Sequence, residues 1–198
     1  MKTMRFVLPL VLLACAAPMP VFADGTLAIN VAPFTSEVKL KDKIRKQLEG
    51  GGMEWGYANN RLVVTSVNKQ FVGPVIDHLT RFGTNASLNL PAGDYQISCV
   101  GMLYDGGLSV EKVLSKGAFF NENVLVFHIA DGKTTTLDIK PTIRASSGFF
   151  LKLFMPEYLA TATLDGAASP EVSLNSRNEK SVAWDDYHGE EQIGRAHV

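Results

Sequence analysis

Leu90-Pro91-Ala92-Gly93-Asp94-Tyr95-Gln96-Ile97 decides the fold. Pro91 presets φ for the second position of a β-turn, and Gly93 suits the fourth position of a type I turn. Upstream, Ala86, Leu88 and Leu90 alternate with Ser87 and Asn89; downstream, Tyr95, Ile97 and Cys99 alternate with Gln96 and Ser98. Period-two alternation on both flanks predicts two antiparallel strands, each with one dry face. A slip of one residue would bury Asn89, Gln96 and Ser98, so the register is firmly specified.

A second segment has the same grammar. Asn123 to Ala130 is an apolar, β-rich run, Asp131-Gly132 a two-residue turn, and Thr134 to Lys140 alternates again. Asp-Gly between such runs predicts a hairpin closed by a type I′ turn, which needs positive φ at both central residues. Together LPAGDYQI and ADGKTTTLDI resemble the transthyretin-like, carboxypeptidase-regulatory-like β-sandwich modules of bacterial exported proteins. The resemblance spans residues 80–140 and weakens over Gly106–Phe120, which reads as a longer connection or an irregular strand pair. It implies an architecture, a single all-β sandwich of transthyretin-like or Ig-like topology with Greek-key connections, and brings no catalytic residue with it.

The ends of the chain have their own signals. Residues 1–23 read as a signal peptide: Lys2 and Arg5 form a positive n-region, Phe6 to Ala17 an apolar core, and Val21-Phe22-Ala23 a cleavage site before Asp24. The apolar core is too short for a transmembrane helix. An alternative reads Leu12-Leu13-Ala14-Cys15 as a lipoprotein box, making Cys15 a lipidated N-terminus and the chain a membrane-anchored lipoprotein. Either way the mature chain is expected to be exported, periplasmic or secreted. Residues 193–198, Ile-Gly-Arg-Ala-His-Val, are what ATC GGA AGA GCA CAC GTC of a widely used sequencing adapter encodes. They read as adapter read-through, with the natural chain truncated at or before Gln192.

Residues 24–192 provide enough chain for one domain with a substantial core. Without Lys2, Arg5 and Arg195, the 19 basic residues become 16 against 20 acidic ones. That balance argues against a nucleic-acid partner, which would favour a basic face. Cys99 is then the lone mature cysteine, and its alternation with Tyr95 and Ile97 predicts an inert buried thiol.

Elsewhere, Gly25 to Val31, Arg61 to Val67 and Tyr158 to Leu164 read as strands, and Phe71 to Phe82 as extended. Residues 38–49 carry Leu40, Ile44 and Leu48 at helical spacing before Gly50-Gly51-Gly52, with Lys39, Lys41, Lys43, Arg45 and Lys46 as a solvated basic face of a short helix or edge strand. Gly148 to Phe154 is nearly continuous in apolar residues and too short to span a bilayer, so it reads as a strand buried on both faces, or on one face with Phe150 and Phe154 on a sticky outer face. The sandwich is placed at residues 24–165 and a polar tail at 166–192.

No nucleotide-binding, esterase or zinc-protease motif is present in the sequence. His128 reads as a hydrogen-bonded structural histidine, and Asp185-Asp186-Tyr187-His188 as a solvated acidic run, so no metal or cofactor is expected. Trp55 and Tyr57, after the glycine run, and Phe150 and Phe154 are the candidate partner-binding side chains. The expectation is a non-enzymatic exported module of the cell envelope that binds a protein or glycan partner and meets a membrane only if lipidated at Cys15. The alternatives are an accessory domain of an exported hydrolase whose catalytic part is missing, or a lipid-anchored envelope assembly protein.

Overall fold

The computed structural model describes residues 24–66, 78–102, 117–145 and 155–183. Two mixed sheets face each other across an apolar interior. The first contains β1 (Gly25–Val31), β2 (Thr35–Ser36), β6 (Thr84–Leu90), β9 (Thr134–Ile143), β10 (Glu157–Leu164), β11 (Ala167–Ala168) and β12 (Val172–Ser173). The second contains β3 (Gly52–Ala58), β4 (Arg61–Thr65), β5 (His78–Arg81), β7 (Gly93–Met102), β8 (Ala118–Ile129) and β13 (Val182–Ala183). Their spatial orders are β11-β10-β9-β1-β6 and β13-β8-β7-β4-β3-β5, with β12 also on β10 and β2 on β9. The chain is therefore an all-β sandwich. Its single short helix, α1 (Asp42–Glu49), half-buries Ile44 and Leu48, exposes its lysines, and ends where Gly50 N–H bonds the Lys46 carbonyl.

Alternation sets the faces as the sequence requires. Leu27, Ile29 and Val31 of β1, Leu137 and Ile139 of β9, and Tyr158, Ala160 and Ala162 of β10 meet Met53, Trp55, Leu62, Val64, Ile97, Leu125 and Phe127 of the second sheet. Along β4 and β7 the alternate residues Val63, Ser98 and Val100 are fully buried as well. Here the second sheet is dry on both faces, not on one. Ser98 sits there because its Oγ accepts the Asn123 N–H, which satisfies a polar atom out of reach of water.

Strand pairing departs from the sequence expectation. Pro91-Ala92 does not close a hairpin: β6 pairs with β1, whereas β7 pairs with β8 and β4. The turn carries the chain from one sheet to the other. Alternation specifies a dry face but not a hydrogen-bonding neighbour, and both Leu90 and Tyr95 point into the shared interior. The corner is tied by the Tyr95 hydroxyl, which donates to the Pro91 carbonyl at 2.7 Å, the arrangement called a tyrosine corner in β-sandwiches. Asp131-Gly132 likewise links β8 to β9 across the sheets. Gly132 has φ +64° but Asp131 stays out of the left-handed region, so the turn is not type I′. Positive φ at both central residues occurs instead at Asn59-Asn60, between β3 and β4, and at Asp165-Gly166, between β10 and β11. Asparagine and aspartate tolerate that conformation because their short side chains bond locally.

Residues 166–183, expected as a polar tail, are part of the fold. They pair along β10 as β11 and β12, cross the end of the sandwich, and pair with β8 as β13. Leu174 is 0 % exposed and belongs to the core cluster. The remainder is fastened by polar bonds. Asn175 Nδ2 donates to the Pro156 carbonyl at 2.9 Å, and Asn175 Oδ1 accepts the Tyr158 N–H at 2.8 Å. A strap built on side chain–backbone bonds has no hydrophobic period to announce it.

Candidate functional site

Among the described residues, a concavity lies where this strap meets the second sheet. Opposite β7, Ile97 faces Leu125 and Cys99 faces Asn121, so Glu122, Asn123 and Val124 together span the interval facing Ser98 alone. The bulge is relieved at Asn123, whose φ is +51°. Beyond it, Asn121 turns inward and is buried. Its Nδ2 donates to the Leu174 and Ser176 carbonyls, both at 2.9 Å, and its Oδ1 accepts from Ser181 Oγ at 2.6 Å. One amide thus fixes the strap to the sheet, with both of its N–H donors and its oxygen engaged there.

Outside Asn121, the strap makes a tight turn. Asn178 Oδ1 accepts the Lys180 N–H and Ser181 Oγ accepts the Asn178 N–H, each at 2.8 Å. The turn stands off from the bulge and leaves a cleft of about 770 Å³, lined by Asn121, Glu122, Asn123, Val124, Asn178, Glu179 and Lys180. Its chemistry is two carboxylates, one ammonium and several amides over a single apolar side chain. Glu122 is steadied by Arg61, 3.4 Å away on β4. Such a lining can hold an extended polar chain by hydrogen bonds and paired charges. Smaller hollows lie over the first sheet at Asn30 and Asp138, and beside α1 at Phe34 and Arg45.

The residues singled out from the sequence lie elsewhere. Trp55 is 1 % exposed, bonds Thr80 Oγ1 through its indole N–H at 3.0 Å, and has the His78 ring stacked 4.4 Å away. It is a core residue and offers no stacking face, which corrects its reading as a binding side chain. The preceding glycines serve close packing: a Cβ on Gly52 would stand 2.7 Å from the Thr80 carbonyl oxygen. Tyr57 is half-buried against Tyr95 and sits on β3, separated from β8 by β7 and β4. Phe150, Phe154, Cys15 and the run 185–188 lie outside the described residues, as do the expected strand 148–154 and most of the extended segment 71–82.

Cys99 is the buried free thiol the alternation predicts, and burial pushes its pKa well up. His128 is exposed, with Nδ1 2.8 Å from Asp94 Oδ1. Burial, then the neighbouring Tyr57 hydroxyl, pushes the Tyr95 phenol up to about 12, so it stays a donor at the corner. Among the described residues no three His, Cys, Asp or Glu side chains gather to hold a metal ion, and no helix is long and apolar enough to cross a membrane. The cleft itself escaped the sequence reading. The signal was Asn121-Glu122-Asn123, three polar residues breaking an apolar strand, as a bulge does. Comparison with family models, curated proteins and solved structures gives no match for this chain.

Proposed function

We propose that this chain is a non-enzymatic exported module of the bacterial cell envelope, of the transthyretin-like kind, that binds a protein partner in the cleft between the β8 bulge and the 178–180 turn. The observation that carries the reading is the lining of that cleft. Charged and amide side chains of both signs converge on it, held by a buried amide, while the apolar interior of the sandwich is filled by side chains. A glycan would favour an aromatic stacking face, and none of the lining residues is aromatic. A peptide with both charged and polar groups fits better. The signal-like residues 1–23 and the tyrosine corner in LPAGDY support export and kinship with envelope sandwiches.

Photo-crosslinking tests this in intact cells. A photoreactive residue at Asn123 is expected to give discrete adducts that disappear on Lys180→Glu, while one at Thr136, on the opposite outer face, gives none. Identical adducts from both positions would remove the cleft from the account. Mass spectrometry of the mature N-terminus decides export: Asp24 is expected, and a diacylated Cys15 would make the chain a lipoprotein. Retention of Met1 would end the export reading.

A further inference from the structure

We propose that the open edge of β8 receives a second copy of this chain, paired antiparallel about a two-fold axis through Leu125. Among the described residues β8 is outermost in its sheet except where β13 covers Phe119 and Phe120. Two anchors show which of its backbone groups look outward. The Asn123 N–H bonds Ser98 on β7, whereas the His128 carbonyl accepts from Thr135 Oγ1 on β9, at 2.6 Å. Backbone groups alternate along an antiparallel strand, so those of Val124 and Val126 point away from β7. Among the described residues no strand pairs with them. Val126 is also 59 % exposed, unusual for a valine on a bare edge, where charges or proline normally discourage pairing.

Along this edge Glu122, Val126 and His128 are exposed and Val124 is half-buried against the core, so the row reads acid, apolar, apolar, base. A two-fold axis lays that row on its own reverse. Val124 of each copy then faces Val126 of the other, and Glu122 faces His128, the pairings that stabilise cross-strand neighbours. The flanking charges extend the match. Arg61 lies 3.4 Å from Glu122 and Asp94 lies 2.8 Å from His128, so each end of the joint sets the Arg61–Glu122 pair of one copy beside the His128–Asp94 pair of the other. Other registers are poorer. Sliding by two residues one way drives His128 of the second copy against Phe120, already covered by β13; sliding the other way leaves Glu122 facing Ala130. The added strand ends at the mouth of the cleft, where His128 of the second copy becomes an additional wall. The joint requires nothing about which partner the cleft accepts. A short edge buries little area, so the dimer is concentration-dependent.

Sedimentation velocity over a concentration series, on the purified chain, tests this. The parent chain is expected to move from monomer to dimer, and Val126→Lys and Val126→Pro to remain monomeric throughout. The Val126 N–H points away from β7, so proline there costs no bond to the described strands and the variants are expected to keep the parent's circular dichroism and melting temperature. Register is read by oxidative crosslinking: Val124→Cys mixed with Val126→Cys gives a disulfide-linked pair, and neither variant alone does. A parent chain that stays monomeric to its solubility limit, a dimer that survives both Val126 variants, or efficient linking of Val126→Cys to itself would each overturn the proposal.

Discussion

Leu174→Ala is the sharpest test of the strap. Leu174 is the one fully buried apolar side chain between Ala167 and Ala183, and it enters a core already filled by β8 and β10. Cutting a buried leucine to alanine costs about 2–5 kcal/mol, the transfer term plus the cavity left behind. The cavity term should be near full, because Asn121 and Asn175 hold the neighbouring backbone in place and limit collapse. In urea titration the midpoint then falls with little change in slope, and the melting temperature drops by about 5–15 °C for a chain of this size. Glu179→Ala, exposed on the same strap, serves as control and stays within about 0.5 kcal/mol. A loss at Leu174 no larger than the control's would mean that residues 166–183 are a loose tail, and the closed end of the sandwich would have to be abandoned.

Tyr95→Phe deletes the hydroxyl bonded to the Pro91 carbonyl while keeping the ring stacked on Phe127; a loss of about 1 kcal/mol is expected in urea, and no loss would show that the corner stands without its bond. The Glu157 carboxyl lies below its ordinary value: burial works to raise it, but bonds from Arg144, Ser173 and Ser176 outweigh burial. Its stabilisation is therefore complete above the unfolded carboxylate value and is lost as pH falls through the lower folded one, so between about pH 5 and pH 3 the parent should lose more stability than Glu157→Gln. Cys99, fully buried with its thiol pKa pushed up, should react with a thiol reagent only at the rate of unfolding, and stoichiometric labelling of the folded chain would contradict its burial.

Much of the candidate site was hidden because its parts are individually ordinary. Asn121 reads as a polar interruption until the strap arrives 53 residues later to use its amide. Asn178 and Lys180 read as turn residues, and nothing local places them beside Glu122. Trp55 misled in the other direction: an aromatic after three glycines suggests display, yet the glycines allow the strand to approach Thr80 and bring the indole into the core.

What the sequence determined by itself was the inside and outside of each strand: the Leu27-Ile29-Val31, Tyr95-Ile97-Cys99 and Tyr158-Ala160-Ala162 faces are interior as their alternation demands. It also marked the corner at Pro91, because turn chemistry and side-chain direction are properties of a few adjacent residues. Only the tertiary structure decided that this corner joins different sheets, that β1 runs parallel to β9, and that a polar strap closes one end and opens a cleft beside it. Those outcomes depend on which distant backbone supplies each hydrogen-bonding partner. A periodicity of two specifies the face a side chain takes, and says nothing about the neighbour its backbone will find.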